Sequence, residues 1–428
     1  MVSSQRRVVV TGIGIISPIG LDPASCWQSL RQGQSGIKPI QLFNAAALPV
    51  RIAGEIVGFD AKKFVDKKDR KSLRVMARSI QLAVAAAQLA LNDSKIDKDK
   101  LDPTRFGVEF GASLIASELE ELGAASQVSA NCQPGTVDLE KWGKQGLANI
   151  PPLWMLKYLP NMLACHISIM HNAQGPNNTI TESDVAGLLA LGEAFRITRR
   201  NQADFFLAGG GESRINPLSM VRQCLFQPLS KRNEEPEKAC RPFDRRRDGM
   251  VLGEGATVLV MEELEHARRR GAKIYGEMVG FGAAFDRGTT GKGLARAILA
   301  ALAEAGVAPE AIDHVNASGT STVPGDAWEA RGIHEVFGSC QQPVPVFAAK
   351  SYFGNLGPGS APTEIAASLL ALEHGQLPAT LNYEEPDPAC PVTVAAREIR
   401  PIRKPYFLKT GFTDLGQCAA AVFRKWEG

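Results

Sequence analysis

Cysteine and histidine are the side chains best suited to metal binding, disulfide formation or nucleophilic chemistry. The eight cysteines are widely spaced, at positions 26, 132, 165, 224, 240, 340, 390 and 418. No two of them form a CxxC pair or a cluster with histidine, so the spacing predicts neither a zinc site nor a disulfide framework. We therefore expect a reduced, cytoplasmic protein without a metal, in which the cysteines pack as small apolar side chains.

Composition and charge exclude several classes of protein. The chain has 428 residues, 44% hydrophobic and 22% charged, which is typical of a globular protein and excludes disorder, collagen and coiled coil. A net charge of +3 is too small to predict binding to nucleic acid or to a membrane surface. No stretch has the length of a membrane span, and the apolar run after Arg7 contains two glycines, which favours a buried strand over a signal peptide.

Short β-rich segments alternate along the chain with helical segments rich in alanine and leucine. Strands that are apolar throughout and separated by helices predict a mostly parallel sheet wrapped by helices. The predicted strands are 8–16, 106–111, 205–209, 256–261, 274–280, 314–317, 344–349 and 406–410. The predicted helices are 72–92, 185–196, 293–305 and 364–374.

A weak internal repeat divides the chain into two similar parts. A helical run, a linker and a strand ending in small residues occur at 83–113 and again at 297–319. A second pair of helical runs, at 184–191 and 364–371, is followed in each part by a strand that enters a glycine turn. We therefore expect two pseudo-symmetric α/β halves, residues 1–265 and 266–428, with a site where their loops meet.

Several segments between Val8 and Phe423 resemble the β-ketoacyl synthases of the thiolase superfamily, which elongate acyl chains on an acyl carrier protein. The strongest are VVVTGIG at 8–14, RPFD at 241–244 with DGMVLGEGA at 248–256, and VNASGTST at 315–322 with Gly325 and Asp326. Lys350 and Glu364 follow in the same order. The resemblance implies a thiolase-like fold with α-β-α-β-α layers.

The same resemblance implies three catalytic positions, and all three are substituted. In the family, a cysteine at a helix N-terminus accepts the acyl group, and two histidines polarise and decarboxylate the malonyl unit. The segment GPNNTITESDVAG at 175–187 places Asp184 at the cysteine position, and Ser318 and Asn355 occupy the histidine positions. The six histidines, at 166, 171, 266, 314, 334 and 374, fall on neither motif.

Asp184 has two interpretations. As a reactive group, a carboxylate at a helix N-terminus would be a weak base and a poor acyl acceptor, and it would repel a developing oxyanion. As an N-cap, it would satisfy free N–H groups of the helix that starts near Val185, and we favour this second interpretation. Ser183 is adjacent, but no histidine in a motif position is available to activate it. We therefore expect no catalytic residue of the family type, and no cofactor.

Further residues receive binding or structural roles from the resemblance. Phe412 matches the gate of the acyl pocket, in a loop at 411–416 that lacks the family's flexible glycines and should be stiffer. Thr320 and Thr322 match a loop whose hydroxyls contact the pantetheine arm, although an ordinary polar loop has the same composition. Lys350 and Glu364 match a buried structural pair.

Two segments match surfaces of the family. The segment 149–162 matches the dimer face and pocket wall. There, Trp154, Met155 and Tyr158 could form the closed end of an acyl tunnel or belong to an ordinary core. The basic cluster at 62–71 lies where acidic carrier proteins dock in the family, although charge runs are also typical of solvated faces. The docking candidates in this cluster are Lys67, Lys68, Arg70 and Lys71.

These features favour a non-catalytic subunit, similar to a chain length factor, that pairs with an active synthase. It would shape the acyl tunnel during fatty-acid, polyketide or polyene elongation. Two alternatives stay open: a divergent acyl-transferring or hydrolytic enzyme that uses Asp184, and a homodimeric acyl-binding protein without turnover. The expected partners are a catalytic synthase subunit or a second copy of the chain, together with acyl carrier protein.

Overall fold

A computed structural model describes residues 6–131, 133 and 135–428, and a large sheet runs through the molecule. The strands are β1 (Val8–Ile16), β2 (Ile37–Pro39), β3 (Ile52–Gly54), β4 (Phe106–Gly111), β5 (Asn177–Ile180), β6 (Phe205–Ser213), β7 (Glu254–Glu263), β8 (Gly276–Phe285), β9 (Ile312–Asn316), β10 (Val346–Phe347), β11 (Gln376–Leu377), β12 (Arg400–Pro401), β13 (Tyr406–Phe412) and β14 (Gln417–Lys425). The helices are α1 (Pro23–Gln32), α2 (Arg78–Ser94), α3 (Leu119–Val128), α4 (Leu139–Lys141), α5 (Trp154–Tyr158), α6 (Met162–His171), α7 (Ala186–Arg199), α8 (Pro217–Phe226), α9 (Leu264–Arg269), α10 (Lys292–Ala305), α11 (Val323–Phe337), α12 (Lys350–Phe353) and α13 (Ser360–His374).

The large sheet consists of two matching sets of five strands. Its order is β10-β9-β13-β14-β8-β1-β7-β6-β4-β5. In one set β1, β7 and β6 are antiparallel neighbours, whereas β6, β4 and β5 are parallel. In the other set β8, β14 and β13 are antiparallel, whereas β13, β9 and β10 are parallel. Two pseudo-symmetric α/β halves are therefore confirmed, whereas the boundary between residues 265 and 266 stays a prediction. The two sets of strands join where β1 pairs with β8.

The prediction of a mostly parallel sheet is wrong, because each half contains antiparallel neighbours. A tight turn at 413–416 connects β13 directly to β14, and such a short connection allows only an antiparallel pair. The sequence did not reveal β14, because its run of alanines has low strand propensity. It did not reveal β5 either, because that strand consists of two asparagines, a threonine and one isoleucine.

Glycines allow the helices to approach the sheet at equivalent places in the two halves. A Cβ atom on Gly14 of β1 would lie 2.0 Å from the carbonyl oxygen of Ala86 in α2. A Cβ atom on Gly282 of β8 would lie 2.2 Å from the carbonyl oxygen of Ala297 in α10. Both glycines are therefore required by close contact between backbones.

The helices form the layers that surround the two halves of the sheet. Helix α2 packs on β1, β7 and β6, and α10 packs on β8 and β14. Helices α7 and α13 contact each other and contact strands of both halves, so they form the middle layer. This is the α-β-α-β-α arrangement that the resemblance implied. None of the helices in the described ranges is long and apolar enough to cross a membrane.

Candidate functional site

Asp184 lies in a sharp turn between β5 and α7. Ser183 has φ of +49°, and residues Ser183–Val185 form a single 3-10 turn before α7 begins at Ala186. The residue in the N-cap position is Val185, and no side chain caps the helix. The predicted N-cap role of Asp184 is therefore wrong, because its carboxylate is bound by side chains from other parts of the chain instead.

Asn355 holds one oxygen of the Asp184 carboxylate. Its Nδ2 donates to Asp184 Oδ2 over 2.8 Å, and its Oδ1 accepts from Gly357 N and from Ser360 Oγ, both at 3.0 Å. These acceptor contacts fix the orientation of the amide. The preceding Gly354 has φ of +77°, which favours glycine at this turn. The fold thus brings together two of the three substituted catalytic positions.

Arg214 faces the other oxygen of Asp184. Its Nη2 atom lies 3.5 Å from Asp184 Oδ1 and 2.7 Å from Glu212 Oε2, and Glu212 also accepts from Ser113 Oγ. Burial disfavours the charged guanidinium, but the carboxylates of Glu212 and Asp184 outweigh it and raise the pKa of Arg214. Asp184 is therefore an ion-paired anion rather than a free carboxylate in a substrate pocket.

Ser318, the third substituted position, belongs to a neighbouring buried network. Lys350 Nζ donates to the Ser318 carbonyl oxygen at 2.9 Å, to Ser318 Oγ at 3.2 Å and to Glu364 Oε1 at 2.6 Å. Lys409 Nζ lies 2.6 Å from the other oxygen of Glu364. Burial acts to lower the pKa of Lys350, but Glu364 and, more weakly, Asp184 raise it overall. The Lys350–Glu364 contact has the geometry expected of a structural pair.

The site contains no activated nucleophile of the usual kinds. Among the described residues, no thiol or imidazole hydrogen-bonds to the side chains of Asp184, Ser318 or Asn355. The thiol of Cys240 contacts the Lys350 carbonyl oxygen at 3.2 Å, but burial raises its pKa and keeps it protonated. Seven described cysteines are unpaired, and Cys132 lies outside the described residues.

The gate and pantetheine candidates are bound within the chain. Phe412 ends β13 and is buried edge-on against Trp328, with ring centroids 4.4 Å apart. The hydroxyls of Thr320 and Thr322 lie 2.9 Å apart, and Thr320 Oγ1 donates to Asp326 Oδ1 at 3.2 Å. Both threonines therefore satisfy their hydroxyls internally, which favours a self-bonded polar loop.

The proposed pocket wall forms the short helix α5. The rings of Trp154 and Tyr158 are 5.2 Å apart, and the Tyr158 hydroxyl donates to Glu121 Oε2 at 2.5 Å. Trp154 is half-buried and its Nε1 is buried without a hydrogen-bond partner, whereas Met155 is 59% exposed. Tyr158 is thus anchored inside the chain, and Trp154 and Met155 lie nearer to its surface.

The basic docking candidates lie on a separate element. They occupy the 3-10 helix Lys67–Val75, and no side chain in this helix is buried. Lys67, Lys68, Arg70 and Lys71 are exposed, and none has an ion pair within the described ranges. Arg70 and Lys71 also line a groove with Lys62 and Arg74. These cations are therefore available to an acidic surface.

Sequence reasoning missed Arg214, although one signal was available. The segment GGGESR at 209–214 places a glutamate and an arginine two residues apart at the end of a strand that is otherwise apolar. Charges at the end of a buried strand require partners. One partner of Arg214 is Asp184, which lies 30 residues earlier in the chain.

Comparisons with known proteins agree with this fold and with the family resemblance. A family model described as the β-ketoacyl synthase N-terminal domain matches residues 5–267, and the corresponding C-terminal domain model matches residues 275–384. A 3-oxoacyl-(acyl-carrier-protein) synthase 2 from Synechocystis sp. is 36% identical over 429 residues, which cover 99% of each chain.

Two solved structures are similar over almost the whole chain. The ishigamide ketosynthase/chain length factor has a TM-score of 0.87 and 28% identity, and the match covers 99% of this chain and 100% of that one. A type II polyketide synthase acyl-carrier protein in complex with its ketosynthase bound to the hexaketide has a TM-score of 0.80 and 26% identity, with the same coverage.

Proposed function

This chain belongs to the β-ketoacyl synthase family, and we propose that it acts there as a non-catalytic subunit, in the manner of a chain length factor. In this role it pairs with an active synthase and shapes the tunnel that holds the growing acyl chain. The observation that carries the proposal is the arrangement at the three catalytic positions. Asp184 is held by Asn355 and Arg214, and Ser318 is held by Lys350.

These contacts argue against the family chemistry in the isolated chain. Oδ2 of Asp184 accepts a hydrogen bond from Asn355, and Oδ1 lies 3.5 Å from the Arg214 guanidinium without a hydrogen bond, so the carboxylate is held beside a cation. The amide of Asn355 and the hydroxyl of Ser318 do not titrate near neutral pH, so neither can act as a general acid or base there. An enzyme that used Asp184 as its nucleophile would therefore find no general base at the other two positions.

Association with a partner is supported by exposed apolar groups around α5. Leu153 is 64% exposed, Met155 59% and Leu159 37%, and the buried Trp154 Nε1 nearby has no acceptor. A cluster of exposed apolar side chains favours a protein interface. The edge of the large sheet is a second candidate, because β5 pairs only with β4 and leaves its other side unpaired.

Carrier-protein binding is supported by the basic 3-10 helix Lys67–Val75. Its exposed cations have no ion pair in the described ranges, and Arg70 donates only to the Val65 carbonyl oxygen at 3.5 Å, so an acidic surface could pair with them without breaking an existing ion pair. One solved structure similar to this chain is named as a carrier protein in complex with its ketosynthase. We propose that this helix receives an acyl carrier protein during elongation.

Co-expression with a catalytic synthase of the same organism tests the proposal. We expect a heterodimer in size measurements, and an elongation assay in which the synthase alone and the heterodimer give products of different length. The control is the heterodimer with Glu237→Gln, an exposed position, which should leave the products unchanged. The proposal would be contradicted if the isolated chain catalysed condensation. It would also be contradicted if the chain formed a stable homodimer and associated with no synthase.

A further inference from the structure

A cavity of about 380 Å³ lies on the N-terminal half of the molecule and shares no residue with the site around Asp184. Its apolar side includes Leu101, Phe106 and Met170, and its polar side includes Lys68, Lys98 and His171. This volume is within the range of about 300–1,000 Å³ that is typical of small-molecule sites. The lining therefore combines an apolar surface with two ammonium groups and an imidazole.

His171, the last residue of α6, lines this cavity. The residue is only 6% exposed, and its Nδ1 is buried without a hydrogen-bond partner. Burial, with a further contribution from Lys98, lowers the pKa of His171 to about 4, so the ring is neutral at physiological pH. A buried polar atom without a partner is costly in free energy.

The two lysines give the cavity a positive charge. Neither Lys68 nor Lys98 has an ion pair in the part of the chain that the structure describes, whereas the neighbouring Lys100 pairs with Asp97 at 3.0 Å. Asp66 raises the pKa of His171, whereas Lys68 and Lys98 lower it. Two cations against one carboxylate leave an excess of positive charge beside the neutral ring.

We propose that this cavity binds a small organic anion. Its carboxylate or phosphate lies between Lys68 and Lys98 and accepts a hydrogen bond from the His171 imidazole. The apolar body of the anion contacts Leu101 and Phe106. This inference does not depend on a partner synthase, and it shares only Lys68 with the helix proposed for carrier-protein docking.

Titration of the full-length protein with four probes tests the proposal. The probes are hexanoate, hexyl phosphate, 1-hexanol and inorganic phosphate, and the readout is the imidazole resonance of His171 in NMR spectra, assigned with His171→Phe. We expect hexanoate or hexyl phosphate to move this resonance saturably and to raise the pKa of His171, because a nearby anion favours the charged ring. The tighter of these two probes identifies the headgroup.

Matched lysine variants separate a specific site from general charge attraction. Lys98→Gln should weaken binding of the preferred anion by about twofold to fivefold, the range expected for a partly exposed ion pair. Lys100→Gln, two residues away and outside the cavity, should leave the affinity unchanged. The proposal would be overturned if 1-hexanol or inorganic phosphate bound as tightly as the preferred anion. It would also be overturned if the two lysine variants had equal effects, or if the His171 resonance did not move.

Discussion

Nδ2 of Asn355 donates to Oδ2 of Asp184 over 2.8 Å and joins residues 171 positions apart in the chain. The bond crosses between the two pseudo-symmetric halves, since Asp184 precedes α7 and Asn355 follows α12. Arg214 lies beside the second carboxylate oxygen, so two of the positions that the resemblance implied to be catalytic take part in a partly buried polar contact. Asp184 therefore acts as a structural anion that links the halves.

The isolated chain should form no covalent acyl adduct and release no carbon dioxide from malonyl carrier protein. Introducing the thiol alone, with Asp184→Cys, should not restore elongation, because Ser318 and Asn355 cannot supply the two imidazoles. Intact-mass spectrometry and a carbon dioxide release assay measure the two outcomes. Decarboxylation by the wild-type chain that disappears in Asp184→Ala would show that the site is catalytic.

Removing Arg214 should destabilise the chain more than removing an exposed arginine. Arg214→Ala removes the cation beside the buried carboxylate of Glu212 and the partly exposed carboxylate of Asp184, and breaking a buried pair in this way typically costs about 3–5 kcal/mol. Arg222→Ala, on the exposed side of α8, should change the free energy of unfolding by less than about 0.5 kcal/mol. Urea denaturation measures both, and equal losses would show that the Arg214 ion pairs contribute nothing.

Trimming Trp154 tests whether α5 shapes the partner's tunnel. In the heterodimer, Trp154→Ala should lengthen the products without changing how fast the partner is first acylated, because it opens space in the wall. Trp154 is only half-buried, so its loss should cost less than the about 3–5 kcal/mol of a fully buried tryptophan. Product analysis measures the effect. The Met155→Ala and Tyr158→Ala heterodimers are tested in the same way. If all three heterodimers fold and give products of unchanged length, α5 has only a scaffolding role.

Reversing one charge on the basic helix tests carrier-protein docking. Lys71→Glu should weaken carrier-protein binding, and the loss should shrink as salt is added, because exposed charges are screened. Lys38→Glu, an exposed lysine on β2, is the matched control and should have no such effect. Binding isotherms at low and high salt measure the difference, and product length should stay the same. Identical affinities for the two variants would argue against docking at this helix.

Glu109 on β4 should make stability depend on pH. Burial, with a smaller contribution from Glu193, raises its pKa to about 8, so the folded chain holds an extra proton between pH 4.5 and 8. Stability should therefore fall as pH rises through this window. Glu109→Gln cannot ionise, so its stability relative to wild type should increase by roughly 2–4 kcal/mol between pH 5 and 8.5. Denaturation at both pH values measures this, with the exposed Glu237→Gln as a control that should show no change.

The local pattern of apolar residues and glycines was sufficient to predict much of the fold. The bounds of β1 and β4 agree with the predicted strands 8–16 and 106–111, and the helical runs at 185–196, 293–305 and 364–374 lie within or next to α7, α10 and α13. The repeat predicted two similar halves because each half needs the same strand, glycine and helix pattern to bury its core. Antiparallel pairing was not visible, because strand direction depends on connections and on neighbours that are distant in sequence.

By itself, the sequence determined which residues occupy the motif positions: Asp184, Ser318 and Asn355 follow from counting within short segments. Only the tertiary structure decided what these residues do. In the folded chain Asp184 is not an N-cap: it lies beside Arg214 and accepts a hydrogen bond from Asn355. Trp154 Nε1 and His171 Nδ1 are buried without hydrogen-bond partners. The physical reason is that a motif is set by neighbours along the chain, whereas charge pairing and burial are set by side chains that meet only after folding.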